Sequence, residues 1–189
     1  MKKLGLLGFI LILFLTACGE KIETNMSEEV ADFEFTTQDK EKLGLDDLKG
    51  EWWVADFVFT NCTTVCLPMT SNMAKLQKDL KEAGVDAQLV SFSVDPENDT
   101  PEVLKDYATK YNADLKNWSF LTGYDFQTIK ELSIKSFRSL VKEAPAESDQ
   151  VTHGTSFFLV NPDGEVIKQY SGIDSKQLDQ IVKDLEKVQ

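Results

Sequence analysis

The stretch FVFTNCTTVCLPM (residues 57–69) decides how the rest of the chain is read. It begins inside WWVADFVF (residues 52–59), a nearly unbroken apolar and aromatic run interrupted by Asp56. A strand with one wet face alternates, so a continuous run reads as a strand covered on both faces. Cys62 and Cys66 follow, with three residues between them, and then Met69, Met73, Leu76 and Leu80 recur on one helical face that stops at Gly84. A buried strand, a loop carrying two thiols and a helix start form the place where α/β folds put their ligands.

Outward from this stretch, strands and helices alternate. Upstream, residues 31–36 set Phe33 and Phe35 between polar residues, an edge strand, and residues 45–49 allow one helical turn closed by Gly50. Downstream, residues 85–94 read as a strand, and Thr100-Pro101 supplies an N-cap and first-turn pair for a helix with Leu104, Tyr107 and Ala108 inward. A short strand at residues 118–121 and a helix at 125–137 come next. Residues 138–152 include KEAPAESDQ, a polar loop long enough to be functional in a compact domain. The chain closes with a hairpin around Asn161-Pro-Asp-Gly164 and a helix capped by Asp174. Helices on both faces of such a sheet make an α/β fold, and the element order is that of a thioredoxin-like fold with an inserted helix-strand unit.

The first residues have another use. Lys2 and Lys3 precede a 12-residue apolar run (residues 4–15), too short for the ~20 residues of a bilayer span. With Leu15-Thr-Ala-Cys18 it resembles the signal and lipobox of bacterial lipoproteins, which implies cleavage before Cys18 and diacylation of that cysteine. The division expected is residues 1–17 signal peptide, 18–30 lipidated N-terminus and polar tether, and 31–189 one domain. That places the domain at the cell membrane on the extracytoplasmic side. Loss of Lys2 and Lys3 takes the formal charge from −12 to −14, which excludes a nucleic-acid partner and membrane attachment by charge.

If Cys18 carries lipid, Cys62 and Cys66 are the remaining thiols, and His153 is the one histidine of the chain. A structural disulfide is one reading of an exported pair, but a three-residue spacer closes too small a loop to stabilise much. Residues four apart on a regular helix hold their Cβ atoms ~5–6 Å apart, beyond usual disulfide reach. Pro68 argues against a helix running through both cysteines, which places them on the loop before or entering it. There they can close on each other or part to hold one metal ion. N–H groups at the helix start favour thiolate, at Cys66 more than at Cys62. Two thiolates and an imidazole suit copper in either oxidation state, whereas zinc would want a fourth ligand. Met69 and Met73 continue the apolar face and read as core.

FTNCTTVCLPM (residues 59–69), SVDPENDTPEVLKDYATKY (residues 93–111), His153 and FFLVNPDGEVIKQYSG (residues 157–172) together resemble the Sco/SenC family, membrane-anchored thioredoxin-fold copper proteins. The resemblance spans about residues 30–189. It implies one copper ion held by Cys62, Cys66 and His153, with Asp95 either near the metal or capping its own turn. It also implies assembly of the dinuclear copper A site of cytochrome c oxidase subunit II as the role, that subunit as partner, and a copper donor that is not identified. The family usually has Pro after each cysteine, where this chain has Thr63 and Leu67. Two other roles use the same atoms: a thiol–disulfide oxidoreductase with Cys62 and Cys66 as its redox pair, keeping the subunit's cysteines reduced, and a copper or redox sensor that transfers nothing. The spacing differs from the C-x-x-C of general oxidoreductases, and no arginine lies near the motif to activate a peroxide.

Overall fold

The computed structural model describes residues 21–62 and 66–189, with the backbone alone for Cys66. The signal, Cys18 and Thr63 lie outside the described residues. The strands are β1 Glu28–Glu29, β2 Glu34–Thr37, β3 Lys42–Gly44, β4 Trp53–Val58, β5 Gln88–Ser93, β6 Trp118–Thr122, β7 Val141–Lys142, β8 Thr152–His153, β9 Ser156–Val160 and β10 Glu165–Ser171. The helices are α1 Leu45–Leu48, α2 Cys66–Ala83, α3 Pro101–Lys110, α4 Phe126–Phe137 and α5 Ser175–Glu186. Eight strands form one sheet in the order β1-β10-β9-β4-β5-β6-β2-β3, while β7 and β8 pair by themselves.

β4 is central. It runs parallel to β5, with Asp56 opposite Ser91 and Phe57 opposite Phe92, and antiparallel to β9 on its other side. Every residue of β4 is buried, as its unbroken apolar run predicts. Its alternate side chains feed two cores. Phe57 meets Phe92 at 5.7 Å and Phe137 of α4 at 5.4 Å between ring centroids, and Phe137 meets Phe158 at 5.3 Å. On the opposite face Val54 and Val58 belong to the cluster that holds Met69, Met73 and Leu76 of α2 and Leu178 and Ile181 of α5. Met69, Met73 and Leu76 have no exposure. Burial of such side chains is worth about 2 kcal/mol each, so the first turns of α2 are pinned to the sheet. Gly84 ends the helix at φ +71°, a conformation open to glycine at little cost.

Two edges differ from the pattern expected of the sequence. The strand at residues 31–36 is not outermost, because Lys40 turns the chain at φ +64° and β3 pairs outside β2. Three residues are too few for a periodic signal. At the other edge, part of the stretch expected as a tether lies along β10: Glu28 opposes Val166, and Asn25 and Met26 both donate N–H to the Ile167 carbonyl. Arg138, just past α4, pairs with Glu28. This segment carries little apolar signal because backbone bonds hold it.

Candidate functional site

β4 stops at Val58 and the chain turns at Phe59, Thr60 and Asn61. A buried carboxylate from the next loop holds that turn. Asp99 accepts the Thr60 N–H on Oδ1 and Oδ2 at 3.2 and 3.3 Å, the Thr60 hydroxyl at 2.6 Å and the Ser93 hydroxyl at 2.6 Å. Burial pushes the Asp99 carboxyl up, and the bonds from Ser93 and Thr60 pull it back. One side chain thus clasps the end of β4 to the end of β5. Sequence reasoning passed over Asp99 as part of the DPENDT loop. The available signal was a second Asp where Asp95 already suffices to cap the turn.

Beyond the clasp, the Cys62 N–H donates to the Phe59 carbonyl at 3.4 Å, and the residue is 6% exposed. His153 approaches from β8, where it opposes Val141 of β7. Its ring stands edge-on to Phe59, with centroids 5.8 Å apart and planes at 86°. Phe59 thus meets both, its carbonyl closing the Cys62 turn and its ring meeting His153, residues about ninety positions apart in the chain. The His153 Nδ1 lies 2.8 Å from the Gly154 carbonyl. A carbonyl can only accept, so Nδ1 carries a proton in either state of the ring; in the neutral ring Nε2 then carries the lone pair, the tautomer a metal-binding imidazole needs. A Cβ at Gly154 would stand 2.6 Å from the Ser139 Oγ, so a side chain there would turn that hydroxyl out of its place. That close approach lets the segment after α4 fold over the His153 strand.

Cys66 is the first residue of α2, so the helix starts at the second cysteine and does not run through both. Pro68 falls in the first turn, where its missing N–H costs no helical bond. Asp95 accepts two bonds from the Asn98 amide, at 2.9 and 3.0 Å, and its carbonyl accepts the Asn98 and Asp99 N–H groups. It is the cap of its own turn. Asp56, a third acidic residue of this region, lies wholly buried in mid-strand, and neither oxygen meets a hydrogen-bond donor among the described residues. Burial raises its carboxyl to about 7, partly offset by the neighbouring Ser91 hydroxyl and then by the charge of His153. The Ser91 Oγ itself accepts from Trp118 Nε1 at 3.0 Å. Among the described residues no trio of His, Cys, Asp or Glu side chains converges on a metal position; the Cys66 side chain is not among them.

The SCO1/SenC family model matches residues 22–189, from the first turn of chain along β10 to the end of α5. The chain belongs to the SCO1/SenC family. A SCO1 protein homologue of Bacillus subtilis is 48% identical over 182 residues, covering 96% of this chain and 94% of that one. Among solved structures, a SCO1/SenC family lipoprotein from Bacillus anthracis superposes with a TM-score of 0.83 at 48% identity, over 88% of this chain and 98% of the other. BsSco, described as a member of the Sco family of cytochrome c oxidase assembly proteins that has a disulfide switch, gives 0.80 at 48% identity over 87% and 95%. ScoI of Arabidopsis thaliana, solved with copper bound, gives 0.70 at 27% identity over 82% and 97%. The SCO1/SenC fold is thioredoxin-like, as the element order predicts. No helix of the described residues is long and apolar enough to cross a membrane.

Proposed function

We propose that this SCO1/SenC protein is a copper-binding assembly factor, anchored by lipid at Cys18 on the outer side of the cell membrane. It binds one copper ion through Cys62, Cys66 and His153 and passes it to the copper A site of cytochrome c oxidase subunit II. The observation that carries the reading is Phe59, whose carbonyl closes the Cys62 turn and whose ring meets His153. Copper bound to the similar ScoI of Arabidopsis thaliana and the oxidase-assembly role of BsSco's family support it. Two soft sulfurs and an imidazole nitrogen favour copper over the hard cations. A ligand set drawn from a loop, a helix start and a separate short strand can open one ligand at a time, which ligand exchange between proteins requires.

The test is titration of the reduced protein with Cu(II), followed by thiolate-to-copper charge-transfer absorption. The expected result is one equivalent bound, with His153→Ala changing the spectrum and weakening affinity on the order of tenfold or more. An unchanged spectrum and affinity in that variant would remove His153 from the site. A second reading uses the same sulfurs: reduced Cys62 and Cys66 reduce the disulfide of the subunit's own copper ligands. Its support is the position of Cys66 at the start of α2, since a helix N-terminus favours thiolate over thiol. A Cys62–Cys66 disulfide has no thiolate to offer, so the oxidised protein takes up no copper in the same titration.

A further inference from the structure

The turn around Asp95 and the loop that carries Glu143 and Asp149 enclose a groove of about 280 Å³ beside the Cys62 turn. Phe126 and Val151 supply an apolar wall; Asp95, Glu97, Glu143 and Asp149 supply carboxylates, and no lysine or arginine lines it. Lysines pair with some exposed carboxylates elsewhere, as in Lys40–Glu102, Lys105–Asp39 and Lys135–Glu131. Among the described residues none of the four groove carboxylates has a cationic partner. Asp95 and Asp149 are bonded instead by the neutral amides of Asn98, Asn61 and Gln150, which orient the charge without cancelling it. The Gln150 amide, with that of Asn61, holds the Asp149 carboxyl below its ordinary range.

The groove is also continuous with the site. Asn61 precedes Cys62, and its amide donates to Asp149 at 2.5 Å while its carbonyl accepts the Gln150 amide at 3.0 Å. Val151 precedes His153 by two residues. Two large apolar side chains stay exposed at the same end: Leu67, next to Cys66, is 50% exposed, and Leu140, whose carbonyl accepts the Gly154 N–H, is 59% exposed. Unburied apolar groups beside an uncompensated charge pattern mark a contact surface. A bare metal ion would have no use for the Phe126 and Val151 wall. A lysine or arginine has an apolar stem for that wall and a charge for the rim.

We propose that this groove seats a basic segment of a partner protein, a Lys or Arg whose stem packs on Phe126 and Val151 and whose charge meets Glu97 and Glu143. The segment lies beside the partner's own copper or cysteine site, so seating it brings that site up to the Cys62 turn. The proposal rests on the reading that Cys62, Cys66 and His153 exchange copper with a protein, and it names the recognition chemistry of that partner.

The experiment uses the full-length lipidated protein in nanodiscs and a soluble copper A fragment of oxidase subunit II as the probe. Association rates are measured for the wild type and the Glu97→Gln/Glu143→Gln double variant at about 25 and about 300 mM salt, which shortens the range of exposed charges several-fold. Zero-length carbodiimide coupling then maps which carboxylates touch lysines of the fragment. The expected result is association slowed about tenfold in the variant at low salt, a gap that closes at high salt, and cross-links at Glu97 or Glu143. Equal rates at both salts, or cross-links solely at other carboxylates, would overturn the groove as the seat. Absence of any association by the wild type would overturn the docking proposal and the named partner together. Copper titration of the same variant separates the two readings, because its copper affinity is expected to match the wild type whatever the docking result.

Discussion

At the scale of single residues, Asp56 stands out as a carboxyl wholly buried within a central strand. A carboxyl with no exposure loses its hydration, and the nearby Ser91 hydroxyl and His153 charge recover part of the loss, leaving it raised from 3.8 to about 7. The sign follows from proton linkage: the native state binds this proton more tightly than the unfolded chain. The penalty is therefore absent below the unfolded value, grows as pH rises between 3.8 and about 7, and is complete above that. Its full size is about 4 kcal/mol. Replacing Asp56→Asn is expected to gain about 2–3 kcal/mol relative to the wild type between about pH 5 and about pH 8. Urea denaturation of both proteins at the two pH values measures it, and a pH-independent difference would show that the charge is satisfied by some other group. In the sequence Asp56 is visible as a break in an apolar run, but the completeness of its burial is not, since that depends on what the folded sheet and helices close over both faces of β4.

At the scale of elements, the decisive device is the clasp between the β4–α2 and β5–α3 connections. Four hydrogen-bond contacts from Thr60 and Ser93 converge on Asp99, and all of the donors lie at strand ends. An amide in its place keeps one acceptor oxygen and turns an NH₂ toward groups that donate. Asp99→Asn is expected to cost about 2–3 kcal/mol, in the range of hydrogen bonds to charged groups. Because Thr60 is two residues from Cys62, the variant should also raise the rate at which a thiol reagent labels Cys62 in the folded protein. Guanidinium melts and timed labelling read the two effects, and stability loss without faster labelling would confine Asp99 to general packing. α2 itself follows from its sequence: a four-residue apolar rhythm, proline in the first turn and glycine past the last. The short β7–β8 ladder does not follow, since two-residue strands have no period and Val141 finds its place through Gly154's closeness to Ser139.

At the scale of the whole molecule, the protein divides its work between its ends. The N-terminal segment expected to carry the lipid reaches the sheet at β1, along the outer edge of β10, and the thiol end lies where β4 meets α2. On the proposed lipid anchor at Cys18, intact-mass analysis of the purified wild type should show a chain that begins at Cys18 and carries two acyl chains. Cys18→Ala should retain residues 1–17 and take up no labelled fatty acid; acylation of that variant would refute the lipobox reading. With 32 acidic against 20 basic residues the formal charge of −12 leaves many carboxylates without a cation, and the meeting of four of them with an apolar wall at the Asp95–Asp149 groove is a property of the folded shape. Local chemistry determined much of this protein from the chain alone. A run buried on both faces had to be a central strand, and Met69, Met73 and Leu76 had to face it. Scarcity of thiols and of histidine singled out Cys62, Cys66 and His153. What the tertiary structure decided are the relations between distant residues: the ring of Phe59 against His153, Asp99 as the clasp, and the strand formed by residues read as tether. Periodicity reports which face of an element is dry. Which two loops meet at the end of a sheet is set by how the strands are ordered and packed, and no repeat in the sequence encodes that.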